Sequence, residues 1–144
     1  MSVAELAASF VRAHEGLRLA AYPDGKGVWT IGFGHTGPEV HEGLIWTQAR
    51  ADAQLAADLA RAAETVARLA RRRLSDAQMA ALISFVFNLG ERALAGSTLL
   101  ARVNDGRFLD ATREFLRFDH AAEVESKGLL IRRLDEASLF LKGS

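Results

Sequence analysis

Glu15, Asp24 and Thr30 stand nine and six residues apart within HEGLRLAAYPDGKGVWTIGFGHT, residues 14–36. Two carboxylates and a hydroxyl on so short a segment suit glycoside hydrolysis. One group must protonate the leaving oxygen while another serves the opposite face of the sugar. Each residue also has a plain reading: a surface Glu at a helix end, a turn-forming Asp in Pro-Asp-Gly, an ordinary strand Thr. His35 is a further candidate base, but a structural role, pairing with an acidic group or the backbone, is the better reading of it. His14 reads as a surface residue, and His41 and His120 stand alone. The four His show no metal-ligand spacing.

The elements that must hold these residues follow from periodicity. Val3, Leu6, Ala7, Phe10 and Val11 fall at helical spacing, predicting an amphipathic helix of about three turns with Ser2 as its N-cap. Gly16 suits the left-handed position just past that helix. Glu15 then lies at its C-terminal end, where the dipole disfavours a charged carboxylate. That placement serves a general acid that must stay protonated. Alternation from Leu17, turn chemistry at Pro23-Asp24-Gly25-Lys26-Gly27, and the β-branched and aromatic run Val28 to Phe33 predict a hairpin or three-stranded sheet over residues 17–36. Glycine in these strands marks a bulge or a close approach to the backbone. Pro38 to Trp46 reads as a loop.

After Thr47 the chain reads as mostly helical. Thr47 caps an Ala-rich segment long enough to be broken or to bridge two lobes, with Ala51, Leu55, Leu59 and Val66 in its apolar stripe. Ser75-Asp76-Ala77-Gln78 is a capping-box signature opening the apolar run MAALISFVFNL, which ends at Gly90 and belongs at the centre of a helical lobe. Ser97 caps a short helix to Val103, and Asn104-Asp105-Gly106 is a turn. A further helix carries Phe108, Phe115 and Phe118. Asp119 to Lys127 reads as a loop, and Gly128 precedes a last helix with Leu130, Leu134, Ala137 and Leu141 on one face. The fold class is α+β: a small early sheet, then a mostly helical body.

Composition narrows the classes. The 144 residues suit one domain, and 49% hydrophobic with 25% charged residues is ordinary for a globular chain. The lack of Cys excludes disulfides and a Cys nucleophile. With 18 basic and 18 acidic side chains there is no basic footprint for nucleic acid, and Arg71-Arg72-Arg73 reads as a solvated helix end. No stretch of 18 or more apolar residues predicts stable membrane insertion. The first residues, with Glu5 among the apolar ones, do not read as a signal peptide.

The same 23 residues resemble the signature of the phage-type lysozymes (endolysins): Glu-Gly-Leu-Arg, then Tyr-x-Asp-x-x-Gly, then Thr-Ile-Gly-x-Gly-His. The likeness continues in MAALISFVFNLG, AGSTLLARVNDG and GLLIRRLDEASLF, the last similar to a closing Gly-Leu-x-x-Arg-Arg-x-x-Glu motif. The second half is closer to the P21/P22 branch than to T4 lysozyme. Phe118 stands where many relatives have Trp, and Asp119 to Lys127 fits the pattern loosely.

The resemblance implies a lysozyme-like fold and a muramidase that cleaves the β-1,4 bond between N-acetylmuramic acid and N-acetylglucosamine. It carries the catalytic set onto Glu15, Asp24 and Thr30, with no metal or cofactor. Glu15 becomes the acid. Asp24 stabilises charge at the sugar or, with Thr30, positions the attacking water, as in an inverting mechanism. Arg132 resembles an Arg that approaches the catalytic Glu from the last helix, its plain alternative being a surface i,i+4 pair with Glu136. Tyr22 and Asn88 are possible glycan contacts or satisfied core groups. The expected organisation is one catalytic domain, 1–144, with a β-rich lobe at 15–46 and a helical body at 47–144 on which the first helix packs. The expected partner is the peptidoglycan glycan strand, met as a monomer. The chain would wait in the host cytoplasm until a holin opens the membrane, then act in the periplasm on a thin wall. A lytic transglycosylase of the same fold, a glycan-binding protein and a tail or secretion-associated module are the rival readings.

Overall fold

The computed structural model describes residues 1–118, 120–121, 124–125 and 127–143; residues 119, 122–123, 126 and 144 lie outside the described residues, as do the side chains of 118, 120–121, 124–125 and 127. Helix α1 (Val3–His14) leads into strands β1 (Arg18–Pro23), β2 (Trp29–Gly32) and β3 (His35–Thr36). Helices α2 (Gln48–Leu69), α3 (Asp76–Leu89), α4 (Glu91–Ala95), α5 (Thr98–Asn104) and α6 (Phe108–Glu114) follow, with a 3-10 turn over Phe115–Phe118. A short hairpin, β4 (His120–Ala121) and β5 (Val124–Glu125), precedes α7 (Lys127–Lys142).

Capping chemistry sets the helix starts. The Ser2, Thr47 and Ser97 side chains each accept from a backbone amide of the first turn, and Ser75 with Gln78 forms the full capping box. Helix α2 is unbroken for 22 residues and packs against β2, β3, α1, α3 and α4, so one rod touches both the sheet and the body. Helix α3 is the hub: Ala80 to Val86 are all buried, and α1, α2, α4 and α7 pack round it.

The three strands pair antiparallel in the order β1-β2-β3, with Tyr22 opposite Thr30 and Thr30 opposite Thr36. The β1–β2 register slips between Arg18 and Tyr22. The extra length of β1 turns outward and pairs with the segment entering α2: Ala21 N–H donates to Leu44 O at 2.9 Å and Trp46 N–H to Leu19 O at 2.8 Å. Trp46, read as loop, is buried, and Gly32 at φ +69° makes room for it: a Cβ there would sit 3.1 Å from the indole.

Four readings of the sequence are corrected. Gly16 does not take a positive φ; Glu15 itself, in extended conformation, ends α1. Helix α4 was not foreseen, its five residues being too few to show periodicity. Backbone pairing of β4 with β5 interrupts the predicted loop at 119–127. Gly128 lies inside α7, and the face of α7 that faces the core is not the leucine stripe. Leu134 and Leu141 are about half exposed, whereas Arg132, Arg133, Glu136, Ala137 and Phe140 are buried.

Phe140 has no exposed surface and meets the rings of Phe108 and Phe115 at 5.9 and 5.5 Å. Phe140→Ala is expected to cost about 3–5 kcal/mol in thermal or denaturant unfolding, with the fold retained.

Candidate active site

Glu15 is where the sheet and the helices meet. Its amide N–H donates to Val11 O at 2.7 Å, ending α1, and its side chain turns away from the helix axis. One face of the carboxylate lies on Gly34, between β2 and β3. That residue has φ +79°, and a Cβ on it would come within 2.8 Å of Glu15 Oε2. Glycine is required there twice, for the backbone angle and for the seat it leaves. The other face is held by α7: Arg132 Nη1 donates to Glu15 Oε1 at 2.7 Å.

Arg132 belongs to a buried charge cluster. Its Nη2 reaches Ser84 O at 3.4 Å and Ser84 Oγ at 3.3 Å, and its Nε lies 3.5 Å from Glu136 Oε2. Glu136 also accepts from Ser84 Oγ at 2.5 Å and from Arg133 Nη2 at 2.9 Å, and Arg133 Nε lies 2.7 Å from its second oxygen. Burial pushes the Glu136 carboxyl above its usual value, opposed by Arg133, the Ser84 hydroxyl and Arg132; it pushes Arg133 down, opposed by Glu136. The Arg132–Glu136 contact is therefore no surface pair, as its helical spacing alone suggested.

The two neighbouring histidines are also tied in. His14 is half-buried, stacks near Phe10 at 4.8 Å and meets Asp135 of α7 at 3.0 Å, so its reading as a surface residue is corrected. Burial lowers its pKa from 6.5, with Arg132 acting the same way and Asp135 opposing. His35 Nδ1 lies 2.7 Å from Asp58 Oδ2 and its Nε2 lies 2.6 Å from Glu39 Oε1, so it joins β3 to α2 and to the loop after the sheet. The bond from His35 holds the Glu39 carboxyl below its usual value.

Asp24 and Thr30 sit on the sheet side. Asp24 Oδ1 accepts from the Lys26 and Val28 amides at 2.7 and 2.9 Å, an Asx turn that leaves Oδ2 without a hydrogen-bond partner among the described residues. Thr30 is buried and its hydroxyl donates to Val28 O at 2.9 Å, which keeps its lone pairs free to accept. Tyr22, Thr30 and Thr36 are direct cross-strand partners and so share one face of the sheet. The Tyr22 ring is covered by the Arg18 guanidinium at 4.3 Å. Among the described residues, no hydrogen bond links Asp24 or Thr30 to Glu15.

A cleft of about 660 Å³ runs from Gly34, His35 and Thr36 across α2 to the end of α3 and Glu91 of α4. Asn88, in the last turn of α3, buries its Oδ1 with no hydrogen-bond partner among the described residues, so it is not the satisfied core group that was one reading of it. Among the described residues there is no cluster of His, Asp or Glu able to hold a metal ion.

The structure thus joins Glu15, Arg132 and Gly34 before β3, and places Thr30 and Tyr22 one and two strands away from β3. Sequence reasoning missed Ser84 and Asp58, placed Arg133 only within the closing motif, and took Glu136 only as a surface partner of Arg132. The signal for Ser84 was its place as a lone Ser in the apolar run MAALISFVFNL, the position that receives the cluster.

The phage lysozyme family profile matches residues 12–136. The endolysin of Salmonella phage P22 is 37% identical over 135 residues, covering 91% of this chain and 92% of its own. The endolysin of Bacillus phage B103 is 35% identical over 99% of this chain, which spans only 55% of that longer protein. Among solved structures, the muramidase domain of SpmX from Asticaccaulis excentricus superposes with a TM-score of 0.85 at 36% identity, over 94% of each chain.

Two outcomes are expected. Gly34→Ala puts a methyl into the seat of Glu15 and should reduce activity at least about 10-fold while costing only about 1–3 kcal/mol of stability. For His14, the folded pKa lies below the unfolded one, so the unfolded chain binds the extra proton and stability is lost as pH falls below 6.5. The stability difference between wild type and His14→Asn should therefore shrink between about pH 7.5 and about pH 5.5 in denaturant titrations.

Proposed function

The chain belongs to the phage lysozyme family, and from that premise we propose that it is a muramidase acting as an endolysin on the β-1,4 bond between N-acetylmuramic acid and N-acetylglucosamine. The observation that carries the reading is the seat of Glu15: a carboxylate fixed between Gly34 and Arg132, beside a cleft that crosses from sheet to helices.

In this reading Glu15 protonates the leaving glycosidic oxygen as the C1–O bond breaks. Water attacks C1 from the opposite face and its proton passes to Asp24. The free Oδ2 of Asp24 and the lone pairs of the Thr30 hydroxyl are the acceptors that would orient that water. One acid and one base on opposite faces give inversion at C1 and call for carboxyl groups roughly 6.5–9.5 Å apart. The unpaired amide oxygen of Asn88 and the ring of Tyr22 are the proposed glycan contacts, and His35 secures the wall of the cleft against α2.

The domain reading is part of the proposal: residues 15–46 form the wall with the base, and 47–144 the opposing wall. So is the setting. The protein works as a monomer on peptidoglycan, held in the host cytoplasm until a holin opens the membrane, and acts in the periplasm. Export of the full-length protein by cells lacking a holin would sink that route.

Glu15→Gln should lower the lysis rate of permeabilised Gram-negative cells at least about 100-fold with folding intact. Proton NMR of freshly cleaved glycan should show the inverted anomer first. Appearance of the retained anomer removes the water-positioning role from Asp24 and Thr30. A product one water lighter, with a 1,6-anhydro end, turns the reading to a transglycosylase.

A further inference from the structure

In the closing Arg-Arg-x-x-Glu stretch of α7, Arg132 holds Glu15, while Arg133 and Glu136 touch neither the acid nor the cleft. The stretch places three ionisable side chains at i, i+1 and i+4, and all three are buried: Arg132 at 4% exposure, Arg133 and Glu136 at 0%. Ser84, also fully buried, presents the hydroxyl that meets them from α3. The surroundings are apolar, with Phe85 5.3 Å from the Arg133 guanidinium and Phe87 6.0 Å from that of Arg132. A buried ion cluster of this kind gains little over apolar side chains of similar volume, because desolvation offsets the pairing. Stability alone therefore gives no reason for it.

Its geometry does. Two edges of the Arg132 fork are hydrogen-bonded, Nη1 to Glu15 and Nη2 to Ser84, while Nε faces Glu136 at 3.5 Å as an ion pair without a hydrogen bond. Arg132 is the only described side chain that hydrogen-bonds Glu15. A guanidinium with one carboxylate as its sole counterion favours the ionised form of that carboxylate, which is the wrong form for an acid. Glu136 takes up part of that charge from behind. It is itself held by Arg133 and by the Ser84 hydroxyl, so it cannot swing away.

We infer that Glu136 is a positioning residue for the acid: with Ser84 and Arg133 it clamps Arg132 in place and divides the Arg132 charge between two carboxylates, and through Arg132 it orients Glu15. The inference rests on the reading of Glu15 as the acid. The charged and titratable groups facing this assembly are His14 from α1, Arg133 and Asp135 from α7, with Ser84 from α3 and only the Gly34 backbone from the sheet. His14 and Asp135 pair with one another and do not bond Glu136.

The test is the pH profile of kcat/KM on purified peptidoglycan for Glu136→Gln and Glu136→Asp, alongside Glu15→Gln. Glu136→Gln keeps the shape and removes the charge. Its alkaline limb should move about 0.5–1 pH unit lower, giving about a 3–10-fold loss on that side and little change on the acid side. Glu136→Asp should move the limb back toward wild type. A merely structural role would scale the rate uniformly and leave the limb in place. An alkaline limb that superimposes on wild type in a folded Glu136→Gln protein overturns the inference. If that variant does not fold, the same profile is read on Ser84→Ala, where superposition again overturns it. Activity surviving in Glu15→Gln overturns the reading of the acid instead, so the two failures are distinguishable.

Discussion

One guanidinium ties the molecule together. Arg132 bonds Glu15 across a sequence separation of 117 residues, and through that bond the last helix is fastened to the end of the first. The arrangement forces several others. The guanidinium is buried, so its remaining donors need partners, which is why the hub helix carries Ser84 in an otherwise apolar run. A second Arg and one Glu complete the cluster. The helical body is thus built round a polar centre, with Phe85, Phe115 and Phe140 packed outside it.

The sheet contributes by coming close. Gly32 admits the Trp46 indole and Gly34 admits the Glu15 carboxylate, so two glycines in three positions let the sheet pack on α2 and its last turn reach the residue that ends α1. His35, between Asp58 and Glu39, fixes the turn that carries Gly34. Position of the proposed acid is consequently set by backbone on one side and by a buried charge on the other. Neither can drift independently of the fold.

Local signals in the chain were easily read. Ser2, Thr47, Ser75 and Ser97 cap where a hydroxyl followed by helical periodicity says they should, because a cap depends only on residues three or four apart. The three strands and the carboxylates of residues 14–36 were legible for the same reason. What failed depends on distant partners. Leucine spacing in the last helix suggested an apolar face, yet the helix turns Arg132, Arg133 and Glu136 inward, since only Ser84 and Glu15, far away in sequence, make that burial tolerable. His14 was misjudged similarly: its neighbour Asp135 is supplied by α7. The five-residue α4 was too short to announce itself.

The slipped register of β1 has a consequence for how the protein behaves in a crowd. A three-stranded sheet has two outer strands, and an outer strand with unpaired amides is a template for another chain. Here the outward bend of β1 spends its free groups on residues 44–46 of the same molecule, through the Leu44 and Trp46 bonds and the Ala20–Ile45 bridge. The irregularity therefore shields that edge from strand-to-strand aggregation. What looks like a flaw in the pairing thus closes one edge on which a strand of another chain could add.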